Sequence, residues 1–320
     1  SAAVSLASSR SDAGDYDWTI IGDDVSLRLL RDSADLSPAA RLQLAPVVGA
    51  DHFDHLGSGN SFAQRLSDLA VPSPRFRLAA SAAEAAATAE LFGGTVLLKP
   101  DVGSGGAGII LAEDSTSAAV GWHLIAARQS GGTIEPAAAP MPVLVQEYLV
   151  GRCVDVSAIF MHGQPIHYTY SSVVEATSRL GVAAVRHYTP TSVAPAAVLD
   201  ELSIIGAGLG LHGFANITCI ESSTATTRHY FEVDARPNLW AAFGAEFGDD
   251  PARRLRLWFD EGRVDLPAAD GPPTALRGRD VAMFKRLSRN DILLNRHGVW
   301  RDLPWGSPEG RRLLRRTVLR

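Results

Sequence analysis

Two carboxylates near the end of a strand pattern are the clearest candidates for chemistry in the sequence. Glu232 and Asp234 alternate with the apolar Phe231 and Val233, and residues two apart on a β-strand face the same side. Two carboxylates on one face repel each other unless a cation lies between them, and Mg²⁺ bound to phosphate oxygens is such a cation. Arg236 shares that face and is suited to hold an anion. The run predicts a metal and phosphate site, and the less favoured alternative is a solvent-facing polar strand.

A glycine-rich loop follows the strand pattern that ends at Lys99. Residues 100–108 read Pro-Asp-Val-Gly-Ser-Gly-Gly-Ala-Gly, and such glycines leave backbone N–H groups uncovered so that the loop can close over phosphates. Lysine occurs only at positions 99 and 285, so 28 of the 30 basic residues are arginine. A compact ammonium in a chain that otherwise uses guanidinium groups suggests a close phosphate contact. An ordinary hairpin beside a surface lysine is the alternative.

The same loop contains the pattern Gly-x-Gly-x-x-Gly at 103–108, and a second copy lies at 208–213. In a dinucleotide-binding fold this loop opens a helix, and an acidic residue follows about 20 positions later. Here the first copy leads into the strand pattern 109–111, position 128 is Arg, and the second copy lies at a predicted helix end. Both copies therefore disfavour a dinucleotide site.

A buried-strand pattern ends at the run Gln146-Glu147-Tyr148-Leu149, just before Gly151. A strand that becomes a linker in this way can offer one backbone N–H and one C=O to the edge of a purine. From these residues alone, a strand end with a solvated Glu147 is the favoured interpretation.

The elements that must position these residues are a mixture of strands and helices. Strand patterns cover 18–21, 95–99, 108–112, 143–149, 154–161, 165–171, 214–221 and 229–234, and helix patterns cover 59–70, 81–91, 115–129 and 195–210. Ser81 followed by Glu84 is a capping box, and Pro72 ends the helix before it. His162-Gly163 predicts a tight turn, and the last 70 residues contain Arg-rich helical patterns.

The composition excludes several classes of function. The chain has 320 residues, of which 46% are hydrophobic and 20% charged, as expected for a globular protein of about two domains. A net charge of −5 argues against a general nucleic-acid surface, and no run approaches the roughly 18 apolar residues of a membrane span. Cys153 and Cys219 are too few for a disulfide scaffold, and the start lacks a signal-peptide pattern, so we expect a reducing cytoplasm.

The order of these motifs resembles that of the ATP-grasp superfamily. The matching pieces over roughly residues 16–245 are Val71-Pro72-Ser73-Pro74, Lys99-Pro100 with the glycine loop, Gln146-Glu147-Tyr148-Leu149, Asn216-Ile217 and Glu232-x-Asp234-x-Arg236-Pro237. The resemblance implies an α+β fold in which two α+β lobes clamp ATP, preceded by the remnant of a Rossmann-like pre-ATP-grasp domain. It divides the chain into that remnant with a linker (1–58), an N-lobe (59–145), a C-lobe (146–250) and an Arg-rich helical extension (251–320).

The resemblance also implies roles for the matching residues. Those implied to bind ATP are Lys99, Gly103, Ser104, Gly105, Gly106, Gly108, Gln146, Glu147, Tyr148, Leu149 and Asp155. Glu232 and Asp234 are implied to hold Mg²⁺, with Mn²⁺ as an alternative metal. Arg236 is implied to steady an acylphosphate, and Asn216 to lie near the transferred phosphate. Arg186, beside His187, is a further catalytic candidate that faces either the site or solvent.

Three features depart from the family's pattern. Gly59 and Asn60 stand where members often have a lysine at a helix start, so bare N–H groups of the helix would bind phosphate instead. Thr218 stands where a third metal ligand is usual, which leaves one or two metal ions open. Cys153 lies near the usual ribose-binding glutamate, and Asp155, on the same strand face, is the expected substitute.

The resemblance implies an ADP-forming ligase. ATP would phosphorylate a small-molecule carboxylic acid, and an amine would attack the acylphosphate to form an amide. A small-molecule kinase and a nucleotide-binding module that has lost its chemistry are the alternatives, and a dinucleotide oxidoreductase is a distant one. We expect no nucleic-acid or membrane partner, and a homodimer is left open.

Overall fold

The computed structural model describes residues 18–103, 105–129, 142–222, 227–238, 250–264, 266 and 279–282. The α-helices are α1 Asp24–Asp32, α2 Pro38–Leu44, α3 Gly59–Asp68, α4 Ala82–Phe92, α5 Ser115–Gln129, α6 Ala197–Leu209 and α7 Pro251–Glu261. The strands are β1 Phe76–Ala79, β2 Val96–Lys99, β3 Ile110–Ala112, β4 Val143–Glu147, β5 Gly151–Met161, β6 Gln164–Ala176, β7 Ala183–Thr189, β8 Gly213–Ser222, β9 Arg228–Asp234 and β10 Arg279–Ala282. In this part of the chain, every helix is too short or too polar to cross a bilayer.

The first sheet has four antiparallel strands in the order β1-β4-β2-β3. Leu98 and Val145 of its central strands pack against α4 and α5, whose contact residues include Ala85, Ala89 and Ala118. Small alanine side chains let both helices lie close to the sheet. The predicted helices at 81–91 and 115–129 and the predicted strands at 95–99, 108–112 and 143–149 are confirmed to within two residues, whereas the edge strand β1 has no counterpart in the sequence predictions.

We expect Ser81→Ala to lower the free energy of unfolding by about 1 kcal/mol, because it removes the N-cap of α4. The Ser81 hydroxyl accepts the Glu84 N–H at 3.2 Å, and the Glu84 carboxylate accepts the Ala80 N–H at 2.8 Å. Urea unfolding measures the change. Ser203→Ala is the matched control, since Ser203 is exposed on α6 and caps no helix end. Equal unfolding midpoints for the two variants would contradict the capping role.

The second sheet has six antiparallel strands in the order β10-β7-β6-β5-β8-β9. Its central strand β5 is buried from Val154 to Met161 because both faces are covered. On one face Val156 packs with Leu66 of α3 and Leu202 of α6. The other face meets an apolar cluster around Ile159 at one end and a polar cleft at the other. The polar end of this face of the second sheet therefore lies toward the first sheet, across the cleft.

Two sequence predictions differ from the structure. Residues 18–21 form no strand, because none of the described strands pairs with them. Trp18 instead stacks on Phe214 at 5.6 Å between ring centroids. Strand β7 was not predicted, and Arg186 and His187 lie within it rather than after the strand pair. Its pairing with β6 shifts register around Glu175, and the short run has no regular apolar alternation. The other predicted helices and strands between residues 154 and 234 and the turn at 162–163 are confirmed, although β6 continues five residues beyond the predicted end at 171. Of the Arg-rich helical patterns predicted for the last 70 residues, α7 is present and those after residue 282 lie outside the described residues.

Candidate active site

A cleft of about 750 Å³ lies between the two sheets and contains most of the predicted site residues. Those that line it are Lys99, Gly105, Gly106, Gln146, Glu147, Tyr148, Leu149, Asp155, Arg186, Asn216, Glu232, Asp234 and Arg236. Gly103 lines a smaller adjoining cavity of about 90 Å³, and Gly108 lines neither. Ser104 lies outside the described residues. Residues far apart in sequence are thus brought together at one place.

A β-bulge in the β8–β9 pair turns the carboxylates toward this cleft. Thr218 pairs with Glu232, but the next residue on β8 pairs with Tyr230, so Phe231 is an extra residue on β9. In a regular strand Tyr230 would share a face with Glu232 and Asp234. Instead Tyr230 is buried in the core, while both carboxylates line the cleft. The predicted common face of Glu232 and Asp234 is confirmed, and its direction depends on the bulge.

The environment of the carboxylate pair disfavours two negative charges. Burial raises the pKa of Glu232, and attraction to Lys99 opposes the shift. Burial, followed by repulsion from Glu232, raises the pKa of Asp234 to about 7. A divalent cation between the two groups would remove this repulsion, so the pair fits Mg²⁺. The described residues contain no cluster of three or more His, Cys, Asp or Glu for a metal, and Mg²⁺ commonly combines one or two carboxylates with phosphate and water oxygens.

Lys99 connects the first sheet with β9, the strand that carries Glu232 and Asp234 and is called the carboxylate strand below. It ends β2, and its Nζ lies 4.6 Å from the centroid of the Phe231 ring on β9. Burial lowers the pKa of Lys99 to about 8, and attraction to Glu232 opposes the shift. The alternative of a surface lysine beside a hairpin is therefore wrong, because the ammonium lies in the cleft.

The glycine loop packs against the turn between β6 and β7. Gly105 and Gly106 have φ of 62° and 78°, in the left-handed region that favours glycine. A Cβ atom on Gly106 would lie 1.8 Å from the Leu180 carbonyl oxygen. The loop therefore covers the cleft only because this position has no side chain.

We expect Gly106→Ala to weaken ATP binding by about tenfold, because the left-handed backbone costs an alanine roughly 1–2 kcal/mol and the loop must also move away from Leu180. Calorimetric titration with ATP measures the effect. Gly94→Ala is the matched control, since its Cβ would meet no atom within 4 Å. Wild-type affinity in Gly106→Ala would show that loop closure over ATP does not use this contact.

The start of the glycine loop occupies the N-terminus of α3. The Gly59 N–H donates to the Asp101 carbonyl oxygen at 3.0 Å, and the Asn60 N–H donates to the Asp101 carboxylate at 2.9 Å. The Ser58 hydroxyl donates to the same carboxylate at 2.7 Å and accepts the Ser61 N–H at 3.1 Å. The expectation of bare N–H groups at Gly59 and Asn60 is therefore wrong, because residues of the chain itself satisfy them.

The segment after β4 lies along one wall of the cleft. The N–H groups of Glu147 and Tyr148 donate to the carbonyl oxygens of Arg75 and Thr95, at 2.8 and 3.1 Å. The Glu147 carboxylate accepts hydrogen bonds from Nε and Nη2 of Arg75, at 2.9 and 2.8 Å. It is therefore paired rather than merely solvated. Leu149 is thus the next residue along the segment that can present a backbone N–H to a ligand.

A buried ion pair lies on the floor of the cleft. The Asp155 carboxylate accepts the Thr218 hydroxyl at 2.9 Å and lies 2.9 Å from Nη2 of Arg186. All three residues are less than 10% exposed, so Arg186 faces the site rather than solvent. Thr218 donates its proton to Asp155 and is a hydrogen-bond partner of this carboxylate. Burial raises the pKa of the neighbouring Cys153 thiol to about 12, so that thiol stays protonated at neutral pH.

Two further polar residues of the site, Asn238 after β9 and Asp24 of α1, were not predicted from the sequence. Asn238 donates through Nδ2 to Asn216 Oδ1 at 2.5 Å and to the Ser157 hydroxyl at 3.1 Å. Arg236 donates through Nε and Nη2 to Asp24 of α1, at 2.7 and 2.8 Å. Asn238 directly follows the Glu-x-Asp-x-Arg-Pro run, so its position beside that run could have identified it as a site residue. Asp24 could not have been predicted, because no motif around it in the sequence indicates a contact with Arg236.

Comparisons with known proteins agree with this architecture. No protein-family profile matches the sequence. The biotin carboxylase domain of the 2-oxoglutarate carboxylase from Hydrogenobacter thermophilus, solved with MgADP and bicarbonate, superposes with a TM-score of 0.61 at 14% identity over 84% of this chain and 59% of that one. An L-amino acid ligase from Bacillus licheniformis gives 0.52 at 13% identity over 75% of this chain and 54% of that one. The D-alanyl-alanine synthetase A of Vibrio cholerae gives 0.50 at 13% identity over 68% and 69%.

These similarities concern the backbone, since 13–14% identity establishes a shared fold and no more. The chain spans about three fifths of the length of the first of these proteins and about half of the second. The two antiparallel sheets with the cleft between them match structural neighbours that are ATP-grasp enzymes. The protein therefore has the ATP-grasp fold that the order of its motifs predicts.

Proposed function

We propose that the protein is an ADP-forming ligase that activates a small-molecule carboxylic acid with ATP and joins it to an amine. The observation that carries the proposal is the convergence of Lys99, the glycine loop and the Glu232–Asp234 pair on one cleft. Phosphoryl transfer needs such positioning and charge neutralisation more than covalent help from the protein. One neighbour of the same fold was solved with MgADP and bicarbonate, and two others are ligases.

Each group in the cleft has a distinct task under this proposal. ATP bound with Mg²⁺ supplies the phosphoryl group that converts the carboxylic acid into an acylphosphate, which the amine then attacks. Glu232 and Asp234 hold the metal ion, and Lys99 and the glycine loop orient the phosphates. Closure of the loop against Leu180 would keep out water, which would otherwise hydrolyse an acylphosphate. Arg236 neutralises the charge that develops on the transferred group.

Under this proposal, two different parts of the cleft would bind the adenine and the ribose of the nucleotide. Backbone groups of the segment from Gln146 to Leu149 would bind the adenine, and Asp155 is the expected contact of the ribose. Asp155 already binds Thr218 and Arg186, so a ribose hydroxyl would have to join this cluster rather than a free carboxylate. The free cysteines are in keeping with the cytoplasmic location that we expect.

A matrix of carboxylic acids and amines, with ADP and phosphate measured in each mixture, tests the proposal. We expect ADP release that requires both an acid and an amine. ADP release with one alcohol or acid alone, together with a stable phosphorylated product, would indicate a kinase. ATP binding without turnover in any mixture would indicate a module without chemistry.

Calorimetry with ATP and with NAD separates the nucleotide classes before any substrate is known. We expect binding of MgATP and no binding of NAD, because the glycine loop leads into strand β3 rather than a helix. Tight NAD binding without ATP binding would contradict the proposed function.

A further inference from the structure

The Arg236 guanidinium contacts two carboxylates, those of Asp24 and Asp234. Nε and Nη2 donate to the two oxygens of Asp24 at 2.7 and 2.8 Å, and Nη2 also lies 3.3 Å from Asp234 Oδ2. The side chains of Arg236 and Asp24 are 15% and 19% exposed. Asp24 is the first residue of α1, and it is 212 positions from Arg236 in the sequence. An acidic residue of the N-terminal helix thus reaches the end of the carboxylate strand.

The two contacts differ in strength. The Asp24 pair is bidentate and short, which is the strong form of an arginine–carboxylate pair, whereas Asp234 makes one longer contact. Attraction to Asp234 and Glu232 would draw an unrestrained guanidinium further into the cleft. There it would fill the position between the carboxylates that the cation is proposed to occupy. The short bidentate pair with Asp24 opposes this movement.

The Asp24 contact also selects which edge of the guanidinium faces a ligand. Nε and Nη2 are engaged, whereas Nη1 makes no hydrogen bond to the residues that the structure describes. A guanidinium has five N–H donors in a fixed fork. Asp24 therefore leaves the Nη1 edge of Arg236 for an anionic group in the cleft.

We propose that Asp24 is a positioning residue that limits Arg236 to one long contact with Asp234, so that the carboxylate pair stays available to the metal ion and the Nη1 edge to the anionic substrate. The inference rests on the proposed function, because that function supplies the metal and the anion. A purely structural role, in which the pair only attaches α1 to the C-lobe, predicts lower stability without a specific change in metal affinity.

Titration of Mn²⁺ into the full chain saturated with a non-hydrolysable ATP analogue tests the proposal. Bound Mn²⁺ is followed by the enhancement of water proton relaxation, which needs no turnover. We expect Asp24→Asn to weaken Mn²⁺ binding by about tenfold, as is typical when a partner of a metal-site residue is lost. Asp24→Glu keeps the charge and is expected to stay within about twofold of wild type.

Asp32→Asn is the matched control. Asp32 ends the same helix α1 and also makes a bidentate arginine pair, with Arg31 at 2.7 and 3.1 Å, but it lies outside the cleft. We expect this variant to bind Mn²⁺ like wild type. Equal losses in the Asp24 and Asp32 variants would show that loss of a carboxylate from α1, and not the position of Arg236, determines the affinity.

A double-mutant cycle identifies Arg236 as the route of the effect. In an Arg236→Gln background no guanidinium can reach Asp234, so adding Asp24→Asn should change Mn²⁺ affinity no further. An equal loss in both backgrounds would overturn the inference, as would no loss in either. If Asp24→Asn alone fails to fold, Asp24→Glu and the comparison of the double variant with Arg236→Gln carry the test. Weaker Mn²⁺ binding in Asp24→Glu than in wild type, or in the double variant than in Arg236→Gln alone, overturns the inference. Failure of wild type to bind Mn²⁺ with the analogue would overturn the proposed function and this inference together, whereas wild-type binding with additive losses overturns the inference alone.

Discussion

Glu232→Gln is expected to lower the rate of ADP formation by at least about a thousandfold, the largest effect of any single substitution in the cleft. Removing one carboxylate from a metal site loses several kcal/mol of transition-state charge stabilisation, and each tenfold change in rate corresponds to about 1.4 kcal/mol. The fold should survive, because burial already raises the pKa of Glu232 and the neutral amide avoids the cost of that buried charge. Initial rates and thermal unfolding of the same preparation measure both quantities.

The matched control for this variant is Glu90→Gln. Glu90 is exposed on α4 and lines neither cavity, so its neutralisation should leave the rate and the melting temperature as in wild type. Wild-type turnover in Glu232→Gln would place the metal ion elsewhere. A large drop in melting temperature would instead show that Glu232 is needed for folding.

Lys99→Arg is expected to weaken ATP binding by at least about a hundredfold although the positive charge is kept. Lysine is a compact point charge, whereas the guanidinium is a broad planar group. The Lys99 ammonium lies over the Phe231 ring at the entrance to the glycine loop, where a larger group would displace the ring or the phosphates. Calorimetric titration with ATP measures the loss.

The reverse exchange at the surface provides the control. Arg77 is exposed on β1, and Arg77→Lys should change neither ATP affinity nor the melting temperature by a measurable amount. A folded Lys99→Arg protein with wild-type ATP affinity would remove Lys99 from the phosphate site. Weaker binding with an unchanged melting temperature supports the proposed role.

Local patterns predicted the parts of the fold whose signals lie within a few residues. Ser81 and Glu84 predicted the start of α4, and Gly93 ends that helix with φ of 71°. The two-residue spacing of Glu232 and Asp234 predicted their common face correctly. Capping, turn chemistry and strand alternation act between near neighbours in sequence, so one sequence suffices to recognise them.

Features that depend on a partner strand could not be predicted in this way. Residues 18–21 are apolar enough for a strand, but they pair with none. The bulge that sends Tyr230 into the core and Glu232 into the cleft has no signature in the alternation of β9. Strand formation requires a neighbour as well as a suitable sequence, and the neighbour is chosen by the whole fold.

The sequence by itself determined which chemical groups this protein can use: a lysine before a glycine loop, and two carboxylates with an arginine two residues further on. Only the tertiary structure decided how those groups are restrained. The Asp101 carboxylate accepts an N–H at the start of α3 from a residue 41 positions away. Arg75 pairs with Glu147, 72 positions away, and Asp24 pairs with Arg236, 212 positions away. The physical reason is that an ion pair or hydrogen bond needs only proximity of its two groups. Packing of the helices and sheets creates that proximity, and no local propensity encodes it.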